Sequence, residues 1–278
     1  MEVILGNEAI AAGKLTRGAL RWNYTAILPG IYMSADAHHE ARRAVVTRAK
    51  AAWLWTGREG IIAGRTAAAL WGASWVENTA PVELIAKPRR AQPGVVLRNE
   101  RIEADEVCTD GFVPITTPAR TALDLARRLP REDALRHVDA ISQATGLSLA
   151  DMAPLQKRYR GARGVASAWS TLSDMDGGSR TPQDTTLRLW LIDGGLPRPT
   201  TSIHVGDDRW ESVISMGWPG AKVGVEWAES RSGLIDHVQF QELLQRLGWI
   251  LLRALPNRGR TDVIYRARAA LRLRGLWG

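Results

Sequence analysis

Apolar and polar positions along the chain fall into three stretches with different rhythms. Near the start, residues 7–13 (NEAIAAG) predict a short helix closed by Gly13, and residues 16–22 (TRGALRW) a second with Thr16 as N-cap. Residues 24–33 (YTAILPGIYM) are two short apolar runs around Pro29-Gly30, the punctuation of a hairpin. The middle predicts mostly helix: 40–55, 65–71, 119–128, 132–145, 148–159 and 163–172. Thr117 is the N-cap and Pro118 the first helical residue of the 119–128 helix, and Asp151 stands at the third position after Ser148. Strands are expected at 82–86 and 95–98, around the basic turn KPRRAQPG. The run SDMDGGS at 173–179 breaks the pattern and reads as a linker. Beyond it lie a helix at 181–193, strands at 202–205, 210–216 and 222–227, a helix at 236–247, a strand at 249–255 and a helix at 261–274.

These elements predict an α+β protein. Residues 1–36, in the order helix, short helix, hairpin, suit a winged helix-turn-helix, a module whose second helix enters the DNA major groove. Residues 37–172 form a mixed, mainly helical middle domain, 173–179 a linker, and 180–278 a domain of order α-β-β-β-α-β-α. That last order is the core arrangement of the restriction-endonuclease-like PD-(D/E)XK fold.

Composition narrows the classes. Of 278 residues, 45% are hydrophobic and 24% charged, ordinary for a globular protein, and no apolar run approaches the roughly 20 residues of a membrane span. The start MEVILGNEAIAAGK does not read as a secretory signal, so a cytoplasmic protein with no membrane partner is expected. The single Cys108 excludes an intrachain disulfide and four-thiolate zinc sites. Net charge is +8; 37 basic residues less five lysines leave 32 arginines. The choice of arginine reads as coding bias, but the basic excess favours a polyanion partner. The excess is +3 in residues 1–50, +1 in 51–176 and +4 in 177–278, so the two ends carry it. Arg17 and Arg21 share a helix face, where they can reach phosphates or base edges. Arg266 and Arg268 belong to the basic C-terminal helix. The alternative is a solvated surface that reads nothing.

A nuclease of the last fold needs two or three carboxylates converging on Mg²⁺. Candidates are Asp184 in the first helix, Glu211 at the start of the second strand and Glu226 in the third. Ser215 stands where another carboxylate is wanted, Ala228 where a lysine or glutamine is wanted, and Lys222 precedes Glu226 rather than following it. Glu226 is either a surviving ligand or a buried carboxylate paired with an arginine such as Arg188. Asp207 and Asp208 fit turn chemistry, Asp124 and Asp139 helix surfaces or buffering, and His204 a surface. His38-His39 has no accompanying ligands nearby. The twelve tryptophans, with Trp53, Trp55, Trp71 and Trp75 clustered, read as packing.

The runs LTRGALR, ILPGIYM, IAGRTAAALWGASW and ITTPARTALDLARRLP resemble AbiEi-type antitoxins and regulators of type IV toxin–antitoxin systems in high-GC Gram-positive bacteria. The runs LRLWLIDGGLPRPTTSIHV, SMGWPGAKVGVEW, LQRLGWILLR and DVIYRARAALR resemble the very-short-patch-repair-like endonuclease domain fused in that family. The resemblance implies a DNA-binding transcriptional regulator with double-stranded DNA and a cognate toxin as partners. The departures lie at Ser215 for Asp, at Thr181-Pro182-Gln183-Asp184, at Glu226-Trp227-Ala228-Glu229, and in the shortened 230–237 stretch with only His237. They imply that no cofactor is held and cleavage is lost. Two alternatives remain: an Mg²⁺-dependent DNA endonuclease using Asp184, Glu211 and Glu226, and a non-catalytic module that binds a protein or nucleic acid.

Overall fold

Thr16 caps the second helix of the chain, its Oγ accepting the Ala19 N–H at 3.1 Å. The structure is a computed structural model that describes residues 3–36, 44–73, 75–76, 79–109, 113–208, 210–228, 234–255 and 257–276. The N-terminal order is β1 (Ile4–Leu5), α1 (Gly6–Ala11), α2 (Arg17–Asn23), β2 (Tyr24–Leu28) and β3 (Ile31–Ser34). The strands form an antiparallel sheet of order β1-β3-β2, with Pro29-Gly30 at the turn of the expected hairpin. Gly6 is needed where these pieces meet. A Cβ there would lie 2.7 Å from the Tyr32 ring and 2.9 Å from Leu20. Val3 and Ile31 pack on Ala51 and Leu54 of α3 (Val45–Trp55), so this module and the start of the middle stretch share a core. The expected start of that helix at 40–43 lies outside the described residues, as does His38-His39.

The middle holds more strand than its apolar pattern suggests. Strands β4 (Ile61–Ile62), β5 (Val82–Ile85), β6 (Val95–Arg98), β7 (Val107–Thr109) and β8 (Pro114–Thr116) form a sheet of order β6-β5-β4-β8-β7. Three of these have two or three residues, too few to show a period of two. Helix α4 (Gly64–Leu70) follows β4, and α3 and α4 cover the core of Ala49, Ile62, Ala67, Leu84 and Ile115. Gly64 has φ +57° and faces the Glu83 carboxylate, which a Cβ would meet at 2.5 Å. That carboxylate instead accepts the Arg65 N–H and pairs with Arg98 at 2.6 Å. Beyond the sheet come α5 (Pro118–Arg128), α6 (Arg131–Thr145), α7 (Ala153–Arg158) and α8 (Val165–Leu172).

The chain makes two compact units that do not follow a single cut. The first contains residues 1–129 and 147–173, the second 130–146 and 174–278. The second holds α9 (Pro182–Asp193), β9 (Thr200–Gly206), β10 (Glu211–Trp218), β11 (Val223–Trp227), α10 (Leu234–Leu247), β12 (Ile250–Ala254) and α11 (Gly259–Leu273), the α-β-β-β-α-β-α order expected. Its sheet runs β12-β11-β10-β9, with β11 and β12 parallel and the other pairs antiparallel. Leu187, Leu191, Met216, Val225, Val263 and Leu271 form one core, which joins the sheet to α9 and α11. Ile203, Val205, Ile214, Phe240 and Leu243 form another, beneath α10.

Helix α6 belongs to this second unit although its sequence lies within the middle stretch. Asp139 on α6 and Arg188 on α9 pair at 2.7 Å, both buried. Asp139 also accepts the Thr185 hydroxyl at 2.7 Å and the Asp176 N–H at 2.8 Å. Arg131 at the start of α6 reaches Asp174 and Asp193, each at 2.7 Å. The 173–179 segment, expected as a linker, is thus tied down; Ser179 is buried and accepts from Arg188 Nε at 3.0 Å.

Candidate functional site

The N-terminus of α9 is built by a capping box. Thr181 Oγ accepts the Asp184 N–H and Asp184 Oδ2 accepts the Thr181 N–H, each at 3.1 Å. This reciprocal bond fixes the Asp184 carboxyl beside the sheet, where the Ser215 hydroxyl also hydrogen-bonds it. Burial pushes the Asp184 pKa above its ordinary value, against the pull of the Thr181 and Ser215 hydrogen bonds. The β9–β10 ladder skips Ser215, between the Ile214–Ile203 and Met216–Thr201 pairs, and Ser202 nearby takes φ +48°. Ile214 and Met216 serve the two different cores.

Glu226 stands opposite Arg253 in the β11–β12 register and is 2% exposed. The Arg253 Nε lies 3.5 Å from its Oε1. Arg180, Thr181, Asp184, Ser212, Val213, Ser215 and Glu226 line one cleft of about 600 Å³. Asp184, Ser215 and Glu226 therefore converge. Glu211 does not line the cleft; it sits exposed at the start of β10, paired in register with Gly206. Lys222 lies before β11, and its Nζ donates to the Leu247 carbonyl at 2.9 Å, away from the cleft residues. Arg180, Ser212 and Val213 are the lining residues that sequence reasoning missed, since none carries a motif of its own.

The donor set of this cleft is two carboxyls and a hydroxyl. Of its two carboxyls, Asp184 is held toward the neutral form by burial and Glu226 faces a guanidinium. A serine hydroxyl completes the group in place of a hard anionic oxygen. Among the described residues, no group of three or more His, Cys, Asp or Glu is arranged to hold a metal ion.

The partner of Glu226 is Arg253 rather than Arg188, whose guanidinium is committed to Asp139 and Ser179. Asp124 and Asp139, expected on helix surfaces, are both buried ion-pair members. Asp124 accepts from Arg120 Nε at 3.0 Å. Arg120, fully buried, also contacts Glu106, the Arg101 carbonyl and the Tyr159 hydroxyl. The hydroxyl in turn donates to Glu106 at 2.8 Å, and burial with that carboxylate pushes the Tyr159 pKa up to about 12.

At the other end of the chain, Arg17 and Arg21 are exposed on α2, and no residue of that helix is buried. Trp22 beside them is 78% exposed, against the expectation that the tryptophans pack. The Arg21 guanidinium carbon lies 5.7 Å from the Trp22 ring centroid. Arg266 and Arg268 are engaged within their own unit. Arg266 Nε bonds Asp262 at 2.7 Å and its Nη2 the Arg253 carbonyl, while Arg268 donates to the Gly194 carbonyl that ends α9. Asp207 accepts the Trp210 N–H at 3.0 Å, the turn role expected of it, and His204 is exposed. Glu229 and residues 230–233 lie outside the described residues, as does the side chain of His237.

Residues 45–174 match the family described as the AbiEi antitoxin C-terminal domain. The chain is also 29% identical over 196 residues to "Uncharacterized protein Rv2248" of Mycobacterium tuberculosis (strain ATCC 25618 / H37Rv), covering 67% of this chain and 71% of the relative. "Uncharacterized protein MT2308" of strain CDC 1551 / Oshkosh matches to the same extent. No solved structure gives a significant match. No helix among the described residues is long and apolar enough to cross a membrane.

Proposed function

We propose that the protein is a DNA-binding regulator with an antitoxin-like role, acting on double-stranded DNA through its N-terminal module. The observation that carries this reading is the exposed α2 face with Arg17 and Arg21, in a chain whose residues 45–174 match an antitoxin domain. A helix with no buried residue contributes little to its own core, so its surface is what it offers. The second unit, on this reading, is a nuclease-like domain of PD-(D/E)XK type that no longer cleaves, and a toxin protein is the further partner. The test is a gel shift of the full chain on a duplex from its own upstream region. Binding should weaken steeply with salt, and Arg17→Ala/Arg21→Ala should lower the log–log slope by about two, one for each phosphate no longer neutralised. Wild-type binding by that double variant would sink the proposal.

The convergence of Asp184, Ser215 and Glu226 on one cleft favours a second reading, a DNA endonuclease. Supercoiled plasmid incubated with Mg²⁺ or Mn²⁺ separates the two. Nicking that Glu226→Ala abolishes would establish the enzyme; an intact plasmid supports the regulator.

A further inference from the structure

We infer that Trp22 is a DNA contact, adding an apolar groove contact to the phosphate contacts of Arg17 and Arg21. The inference rests on the DNA-binding reading above and names a residue which that reading did not contain.

Three observations meet at this side chain. Trp22 is 78% exposed, the most exposed of the described tryptophans, on a helix whose only anchoring comes from half-buried Ala19 and Leu20. A large ring left in water gains nothing for the fold, and tryptophan is enriched where a partner later covers it. Secondly, α2 itself is basic. Arg17 and Arg21 are its only charged residues, Lys14 lies just before it, and the nearest acids along the chain are Glu8 and Asp36. An apolar ring beside two cations on one helix complements a polyanion better than a helix face of mixed charge. Thirdly, Arg21 already lies over the Trp22 ring. That contact keeps the ring beside the cation that would hold a phosphate, so charge and ring arrive at the duplex together.

The two kinds of contact leave different signatures. Arginine contacts release counterions and set the salt slope; a ring contact does not. The experiment uses the full chain, a fluorescein-labelled mixed-sequence 30-base-pair duplex, and salt titrations of wild type, Trp22→Ala, Trp22→Phe and Arg17→Ala/Arg21→Ala. Trp22→Ala should weaken binding about tenfold at every salt concentration with the slope unchanged, within the range for burying an apolar side chain. Trp22→Phe should recover most of the affinity. Circular dichroism should show no change of fold, because the replaced ring is not part of a core. If Trp22→Ala binds within twofold of wild type while the arginine variant is weakened, the inference fails and the DNA-binding reading survives. If all variants bind as wild type, both fail. If Trp22→Ala instead changes the apparent mass by gel filtration and leaves DNA binding intact, the ring belongs to a contact between protein chains and the inference is overturned.

Discussion

Asp139 and Arg188 form a buried ion pair at 2.7 Å that bolts α6 to α9, the helix that carries Asp184. Removing one partner strands the other charge in the interior. Asp139→Ala should therefore cost about 3–5 kcal/mol, whereas Asp139→Leu with Arg188→Met, which removes both charges, should cost far less. Urea unfolding followed by circular dichroism measures both; equal costs would show that the pair is not the fastening.

Arg120 plays the corresponding part in the first unit. Arg120→Met removes the fully buried cation between Glu106 and Asp124, which keep only the partly exposed Arg158, Arg127 and Arg128, and should destabilise the protein by about 2–3 kcal/mol. Tyr159→Phe removes only the hydroxyl between Arg120 and Glu106 and should cost about 1–2 kcal/mol. An Arg120→Met protein as stable as wild type would show that the network contributes nothing.

Gly64 is the one residue that suits its place at the start of α4. With φ +57° and a Cβ only 2.5 Å from Glu83 Oε2, Gly64→Ala both strains the backbone and drives Glu83 off the Arg65 N–H. A loss of about 2–4 kcal/mol is expected, from left-handed strain together with a displaced buried carboxylate. The control is Gly18→Ala in α2, where a Cβ would meet only Thr16 Oγ1 at an ordinary 3.8 Å and the backbone is helical; it should be neutral or mildly stabilising.

The raised pKa of Asp184 has a definite sign. The folded state holds the proton more tightly than the unfolded chain, so stability is greatest below the ordinary aspartate value. It falls as pH rises toward the folded value. Asp184→Asn keeps an acceptor for the Thr181 N–H and removes the charge. It should raise the melting temperature by a few degrees at pH 7, and the gain should vanish near pH 3. A gain that persists unchanged at pH 3 would contradict the assignment.

Ser215→Asp places a third carboxylate in the cleft that already holds Asp184 and Glu226. Calorimetric titration with Mn²⁺ should detect no binding to the wild type and binding to the variant, which should also be less stable without the ion. Metal binding by the wild type would overturn the account of its donor set.

The order of elements in residues 180–278 was legible because its first helix has a start signal, Thr181-Pro182-Gln183-Asp184, and each strand is long enough to show its pattern. The five-stranded sheet was not, because β4, β7 and β8 are too short for a period of two to repeat. Asp184, Ser215 and Glu226 could be named as a group from their elements alone. The Arg253 partner of Glu226 could not, since it depends on the β11–β12 register. The run ITTPARTALDLARRLP, prominent in the resemblance, turns out to supply Arg120, Asp124, Arg127 and Arg128 to a network of ion pairs. Its likeness reports a fold rather than a reacting centre. Trp22 was hidden for a different reason: composition counts tryptophans but does not say which one lacks a neighbour to pack against.

The excursion of α6 sets the order in which the molecule can be completed. On the ribosome this helix emerges before residues 147–278, so Asp139 waits for Arg188 until more than forty further residues have been made. A chain stopped at residue 173, where composition alone would place the cut, would keep α6 and lose Arg188, Thr185, Asp176 and Asp174, which bond its Asp139 and Arg131. Any recombination that exchanges the last hundred residues for another module inherits the same orphan. The two units can be traded in evolution only if α6 travels with the second, which demands three crossovers in the gene rather than one.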